Sequence, residues 1–149
     1  MPNPDAWKRP LKHGGLRVFV TGGRDYEDRD TVWRALDRIH AKHGVLVVIH
    51  GACDEYDPKT GRRRLRGADK WADEWAFAHG IPVIREPVTR EEWRLYRGAA
   101  GPMRNERAIV KHTPDLCVHL PGGRGTADAM ERCFAHGILR WDPITNETS

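Results

Sequence analysis

The feature that most constrains this chain is a pair of apolar runs, each stopped by two glycines. Leu16-Arg17-Val18-Phe19-Val20-Thr21 runs into Gly22-Gly23, and Asp115-Leu116-Cys117-Val118-His119-Leu120 runs into Pro121-Gly122-Gly123. Runs of this length, rich in β-branched and aromatic residues, predict strands that are covered on both faces. Val45 to His50 is a third such run, and Pro82 to Arg85 and Ile138 to Arg140 are two shorter ones. Helical spacing fills the intervals. Val32, Trp33, Leu36 and Ile39 recur at helical spacing after a capping Asp28 or Asp30, and Gly44 closes that helix. A second helix runs from about Gly67 to His79, a third from Gly101-Pro102 to about His112, and a fourth from about Thr126 to His136. Strands alternating with helices predict an α/β domain, a doubly wound parallel sheet with helices on both faces. The single domain spans residues 15–142, with residues 1–14 and 143–149 as tails and Asn146 to Ser149 frayed. Residues 54–66 break the pattern. Asp57-Pro58-Lys59-Thr60-Gly61 is a turn signal before Arg62, Arg63, Arg64 and Arg66, so the segment reads as an inserted exposed loop or short hairpin.

Composition narrows the classes. Of 149 residues, 39% are apolar and 31% charged, the balance of a globular domain. The longest apolar run, Val45 to Ile49, falls far short of the roughly 20 residues that span a bilayer. The N-terminus lacks the apolar stretch of a signal peptide, so a cytoplasmic protein without membrane contact is expected. An odd cysteine count argues against a disulfide framework. Cys117 and Cys133 suit buried positions, and Cys53 a loop. The histidines form no ligand pattern with cysteine or carboxylate, so neither a metal nor a cofactor is expected.

Chemistry gathers on the glycine loops. In parallel sheets, ligands bind beyond the carboxyl ends of strands, where strand order reverses. Thr21-Gly22-Gly23-Arg24-Asp25 and Pro121-Gly122-Gly123-Arg124-Gly125-Thr126 both fall at that edge. Glycine allows close approach of backbone, and the amides of the following helix favour an anion. Thr126 adds a hydroxyl, and Arg24 and Arg124 add charge. Neither loop is a Walker sequence or Gly-x-Gly-x-x-Gly. Arg104 and Asn105 fall in the first turn of the helix after Gly101-Pro102, where the dipole disfavours a cation. An arginine there suggests a contact to phosphate or carboxylate, with removal neutral for stability; the other reading is a salt bridge to Glu106. Gly67-Ala68-Asp69 opens another helix, with Asp69 either complementing the dipole or binding a ligand hydroxyl. Trp71 and Trp75 read as core or an interface stripe. With Phe77 they supply more apolar bulk than one helix face needs, which points to a homodimer. Trp93 defaults to packing but is also suited to stack on a base.

Together, Val-Thr-Gly-Gly-Arg-Asp-Tyr (20–26), His-Gly (50–51), Gly-Ala-Asp (67–69), Gly-Pro-Met-Arg-Asn (101–105) and Pro-Gly-Gly-Arg-Gly-Thr-Ala-Asp (121–128) resemble the YspA-like, cpYpsA-related branch of the SLOG superfamily. That superfamily also holds the Lonely-guy phosphoribohydrolases and the DNA-processing protein A group. The resemblance spans about residues 16 to 140. It implies a Rossmann-like fold that binds nucleotides or nucleotide-derived ligands, adds Gly51 to the ligand-binding set, and implies a dimer or larger. Arg104 matches the family's substrate-binding arginine. Lonely-guy enzymes carry a catalytic glutamate where this chain has Ala129, and Glu131 stands about 200° further round the helix.

The leading expectation is a binder of a nucleotide or nucleoside phosphate, acting as a sensor or as a hydrolase of an N-glycosidic bond. A hydrolase needs a carboxylate to stabilise charge on the sugar, and Asp25, Asp69 and Asp128 are the candidates. The alternative is a nucleic-acid-binding module, with the Arg62–Arg66 cluster gripping backbone phosphate.

Overall fold

The computed structural model describes residues 14–149; the proposed tail over residues 1–14 lies outside that range, except Gly14. Five parallel strands form the main sheet: β1 (Leu16–Thr21), β2 (Val45–His50), β5 (Val83–Arg85), β6 (Leu116–His119) and β7 (Leu139–Trp141). Their order is β5-β2-β1-β6-β7, so the chain winds outward from β1 in one direction and then the other. The reversal falls between β1 and β6, the strands that carry the two glycine loops. This is the doubly wound, Rossmann-like sheet the sequence predicts, with Thr21 opposite His119 at its carboxyl edge.

Alternation of side chains along each strand feeds two cores. Leu16, Val18 and Val20 face one layer with Val48, Leu116 and Val118, covered by α1 (Arg29–His43) and α2 (Gly67–Ala78). Phe19, Val47, Ile49 and Cys117 face the other, covered by α4 (Ala100–His112) and α5 (Arg124–Ala135). Val32, Leu36 and Ile39 of α1 are fully buried, at about 1.5–3 kcal/mol per side chain, so packing holds this helix. Asp28 caps it, accepting from the Thr31 N–H at 3.1 Å, and Gly44 ends it at φ +76°. Among the described residues no helix is long and apolar enough to cross a membrane.

Of the two readings of residues 54–66, the short hairpin holds, and other details refine or depart from the sequence expectation. The interruption at 54–66 is an antiparallel hairpin, β3 (Asp54–Asp57) and β4 (Arg62–Leu65), turning at Gly61 with φ +70°. Of the two readings of Trp71 and Trp75, core or interface stripe, the structure bears out the core. Trp75 is fully buried with its indole N–H on Asp37 at 2.9 Å, and Trp71 packs against the same core with its N–H on the Tyr26 carbonyl. Of the three residues behind the dimer expectation, only Phe77 stands out in solvent, at 89% exposure. The last residues are not frayed, because Ser149 exchanges both backbone hydrogen bonds with Arg140 at the β7 edge.

The helix carrying Arg104 also begins earlier than expected. A short α3 (Arg90–Tyr96) and a single 3-10 turn (Arg97–Ala99) lead straight into Ala100. Arg104 therefore sits in the second turn of α4, beyond the orphan amides of its start, where the dipole no longer singles out a cation.

Candidate functional site

The two glycine loops are one structure. The Gly23 N–H donates to the Pro121 carbonyl at 2.8 Å, and the Gly23 carbonyl accepts from the Tyr26 and Ala68 N–H groups. Glycine is required here by contact. A Cβ on Gly22 would lie 2.6 Å from the Ala68 Cβ and 2.9 Å from the Leu120 Cβ. One on Gly122 would overlap the Thr126 hydroxyl, and one on Gly67, at φ +59°, would overlap the Gly23 carbonyl. Gly22, Gly67, Leu120 and Gly122 thus clamp the start of α2 against the β1 and β6 loops. Gly123 and Gly125 differ, since a Cβ on either would meet nothing. Gly123 opens α5 with no side-chain cap, while Arg124 and Gly125 are exposed and Thr126 is buried. The first-turn amides of α5 are therefore offered to solvent in a glycine-lined setting, which suits an anion.

The other half of the site is assembled around the Gly51–Cys53 turn after β2. The Asp69 carboxylate, only 7% exposed, accepts from the Cys53 N–H at 2.9 Å. Burial pushes its pKa up, against the pull of the nearby His50 and Arg104. Arg104 donates from Nη1 to the Gly51 carbonyl at 2.5 Å and from Nε to the Asn105 side-chain oxygen at 3.0 Å. Burial pulls its pKa down, opposed by Asp69. Asn105, also buried, donates to the Gly125 carbonyl at 3.2 Å and to Asp128 at 3.0 Å. Arg104 and Asn105 therefore join the β2 turn to the α5 loop. Burial raises the pKa of the Cys53 thiol in this turn, opposed by the nearby positive charge of Arg24.

The three candidate acids are not equivalent. Asp25, with 79% side-chain exposure, is ion-paired with Arg66 at the base of the hairpin. Asp128 is held by Asn105 and by Arg132 at 2.8 Å. Asp69 alone of the three is buried. Ala129, at the position of the Lonely-guy glutamate, is fully buried in the core under α5.

A supporting network was missed by the sequence reading. His50 is fully buried; its Nδ1 accepts from the Ala52 N–H at 2.9 Å, so its Nε2 carries the proton and donates to Asp73 at 2.8 Å. Arg85 grips the same carboxylate at 2.8 and 3.0 Å. Although burial pushes Asp73 up, the hydrogen bonds from His50 and Arg85 hold it well below the usual carboxylate range. The available signal was spacing: Asp69 and Asp73, four apart, share one face of α2.

The sequence profile of the YspA, cpYpsA-related SLOG family matches residues 16–58, from β1 into the hairpin. The chain is 37% identical over 136 residues to Gene 61 protein of Mycobacterium phage D29, an alignment covering 87% of this chain and 94% of that protein. Among solved structures it is similar to glycinamide ribonucleotide transformylase 1 from Symbiobacterium toebii, with TM-score 0.47 and 19% identity over 89% of this chain and 55% of that one. It is also similar to the phosphoribosylglycinamide formyltransferase from Coxiella burnetii in complex with CHES, with TM-score 0.42 and 15% identity over 85% and 50% of the two chains. The chain spans about half the length of these two structures. On the profile match and the phage relative, this chain belongs to the YspA, cpYpsA-related SLOG family.

Proposed function

We propose that the carboxyl edge of the sheet binds a nucleotide or nucleoside-phosphate-derived ligand, with its phosphate on the α5 amides and the protein acting as a sensor. One observation carries this reading. The buried polar side chains among the described residues are Thr21, His50, Asp69, Asn105 and Thr126, and all five lie at strand carboxyl ends or in the first two turns of the adjoining helices. Five buried polar side chains gathered at one edge of an otherwise apolar interior are the few placed polar groups that orient a ligand in a binding site.

Sensing is favoured over turnover because Asp25 and Asp128 are engaged elsewhere and no carboxylate stands at position 129. If a sugar is cleaved, Asp69 is the acid placed to do it. A thermal-shift panel of nucleoside phosphates, with inorganic phosphate as control, tests the reading. A ligand at a hundred times its Kd should add about 2.7 kcal/mol of stability. No shift with any of them would contradict it.

The hairpin gives little support to the nucleic-acid alternative. Arg63 makes a bidentate pair with Asp54 at 2.8 and 2.9 Å, Arg64 pairs with Glu55 at 2.9 Å, and Arg66 pairs with Asp25 and Glu55. Three of its four arginines are thus matched by acids of the hairpin or the first glycine loop.

A further inference from the structure

We propose that Asp69 and Arg104 together read the vicinal hydroxyls of a ribose, so that the site takes ribonucleotides in preference to 2′-deoxyribonucleotides. This rests on the nucleotide reading above and extends it to the sugar.

The geometry comes from one short turn. Asp69 holds the N–H of Cys53, and Arg104 holds the carbonyl of Gly51. These residues are two apart, a Cα separation of at most about 7 Å. The carboxylate and the guanidinium are therefore fixed at the two ends of a single three-residue segment. That segment is itself rigidly set. Ala52 takes φ +52°, uncommon for a residue with a Cβ, and its N–H is held by the buried His50.

Both groups keep capacity for a ligand. The Asp69 carboxylate accepts from a single N–H among the described residues, and such a group has room for several more donors. Arg104 uses Nε and Nη1 on Asn105, Gly51 and Glu86, while Nη2 donates to no described residue. Charge then selects the ligand group. A cation here would face the guanidinium groups of Arg24 and Arg104, and an anion would face the buried Asp69. A neutral group that both donates and accepts satisfies both partners. Two adjacent hydroxyls do so, each donating to the carboxylate side and accepting from the guanidinium side. Asn105 links Arg104 to the Gly125 carbonyl of the α5 loop, placing this pair beside the anion site as the sugar of a nucleotide lies beside its phosphate.

The competing occupant is the edge of a base, which also presents donors and acceptors, and sugar phosphates separate the two. Calorimetry should compare AMP with 2′-deoxyAMP, and ribose 5-phosphate with 2-deoxyribose 5-phosphate, on the wild type and on Asp69→Asn. The asparagine can still accept from Cys53, so the turn is preserved. The expected result is a preference of about tenfold or more for the ribo member of each pair, falling to within about threefold in the variant. Equal binding within both pairs would overturn the proposal and leave nucleotide binding intact. A ribo preference unchanged in Asp69→Asn would overturn the role of Asp69. Binding of neither the nucleotides nor the sugar phosphates would overturn the nucleotide reading and this proposal with it. Should the variant fail to fold, the wild-type comparison still decides whether the site reads the sugar.

Discussion

Gly23 and Pro121, 98 residues apart in the chain, are joined by a backbone hydrogen bond of 2.8 Å that fuses the loops after β1 and β6. The glycines around this bond divide into two kinds, and their substitutions should separate. Gly22→Ala forces a methyl against Ala68 and Leu120, at an overpacking cost of about 1–3 kcal/mol. Gly123→Ala and Gly125→Ala meet open space, so stability should stay within about 0.5 kcal/mol of wild type while ligand binding weakens. Urea midpoints beside a binding titration check both halves.

Arg104 is a structural residue as well as a ligand candidate. The sequence, placing it in an opening turn, implies that its removal leaves stability neutral or slightly improved. The structure implies otherwise, because Arg104→Ala strips a donor from the Gly51 carbonyl and from Asn105. Unfolding should be easier by about 1–3 kcal/mol, and binding weaker. An unchanged melting temperature would show that the β2 turn does not depend on this side chain.

Asp69 should show the opposite balance. Burial raises its pKa, so its contribution to stability is present below the ordinary carboxylate range and is lost as pH rises through the raised value. At pH 7 the neutral Asp69→Asn should melt at or above the wild type without ligand, with the wild type gaining ground as pH falls toward 4. A sharp loss of stability at pH 7 would mark Asp69 as a structural residue.

Glu92 carries acid sensitivity away from the site. The Arg107 hydrogen bond and the Thr89 cap hold its pKa down to about 2. A depressed carboxylate contributes stability above its ordinary pKa, and that contribution is lost as pH falls through the folded value. Glu92→Gln should therefore be less stable than wild type at pH 7, with the gap closing between pH 4.5 and 2. Denaturation midpoints at pH 7 and pH 3 give the comparison.

Association is the remaining expectation. A homodimer is proposed on the family resemblance, and Phe77 of α2 is an exposed apolar side chain that such a contact would cover. Light scattering should return twice the chain mass of 17.0 kDa; the single mass would contradict it.

What the sequence made legible was whatever depends on neighbours in the chain. The apolar runs of β1, β2 and β6, the Asp28 cap and the Gly44 stop are local signals, and the glycine loops announced the carboxyl edge. What stayed hidden depends on distant partners. Trp71 and Trp75 looked surplus because their indole N–H groups find Tyr26 and Asp37 more than 35 residues away. Ser149 pairs through its backbone alone, to which composition is blind. The start of α4 was misplaced because a 3-10 turn at Arg97–Ala99 feeds it, with Arg97 at φ +48° where no glycine marks the bend. His50, Asp73 and Arg85 came together only when β2, α2 and β5 packed.

The proposed ligand places its phosphate on the α5 amides beside the first glycine loop. The most direct test of this placement is a titration of the ¹⁵N-labelled protein with AMP, followed through backbone amide resonances. Saturable shifts are expected at Gly22 to Arg24, Gly51 to Cys53 and Gly123 to Thr126. Shifts confined to the hairpin at 54–65 or to α3, or no shift at any of these amides, would contradict it.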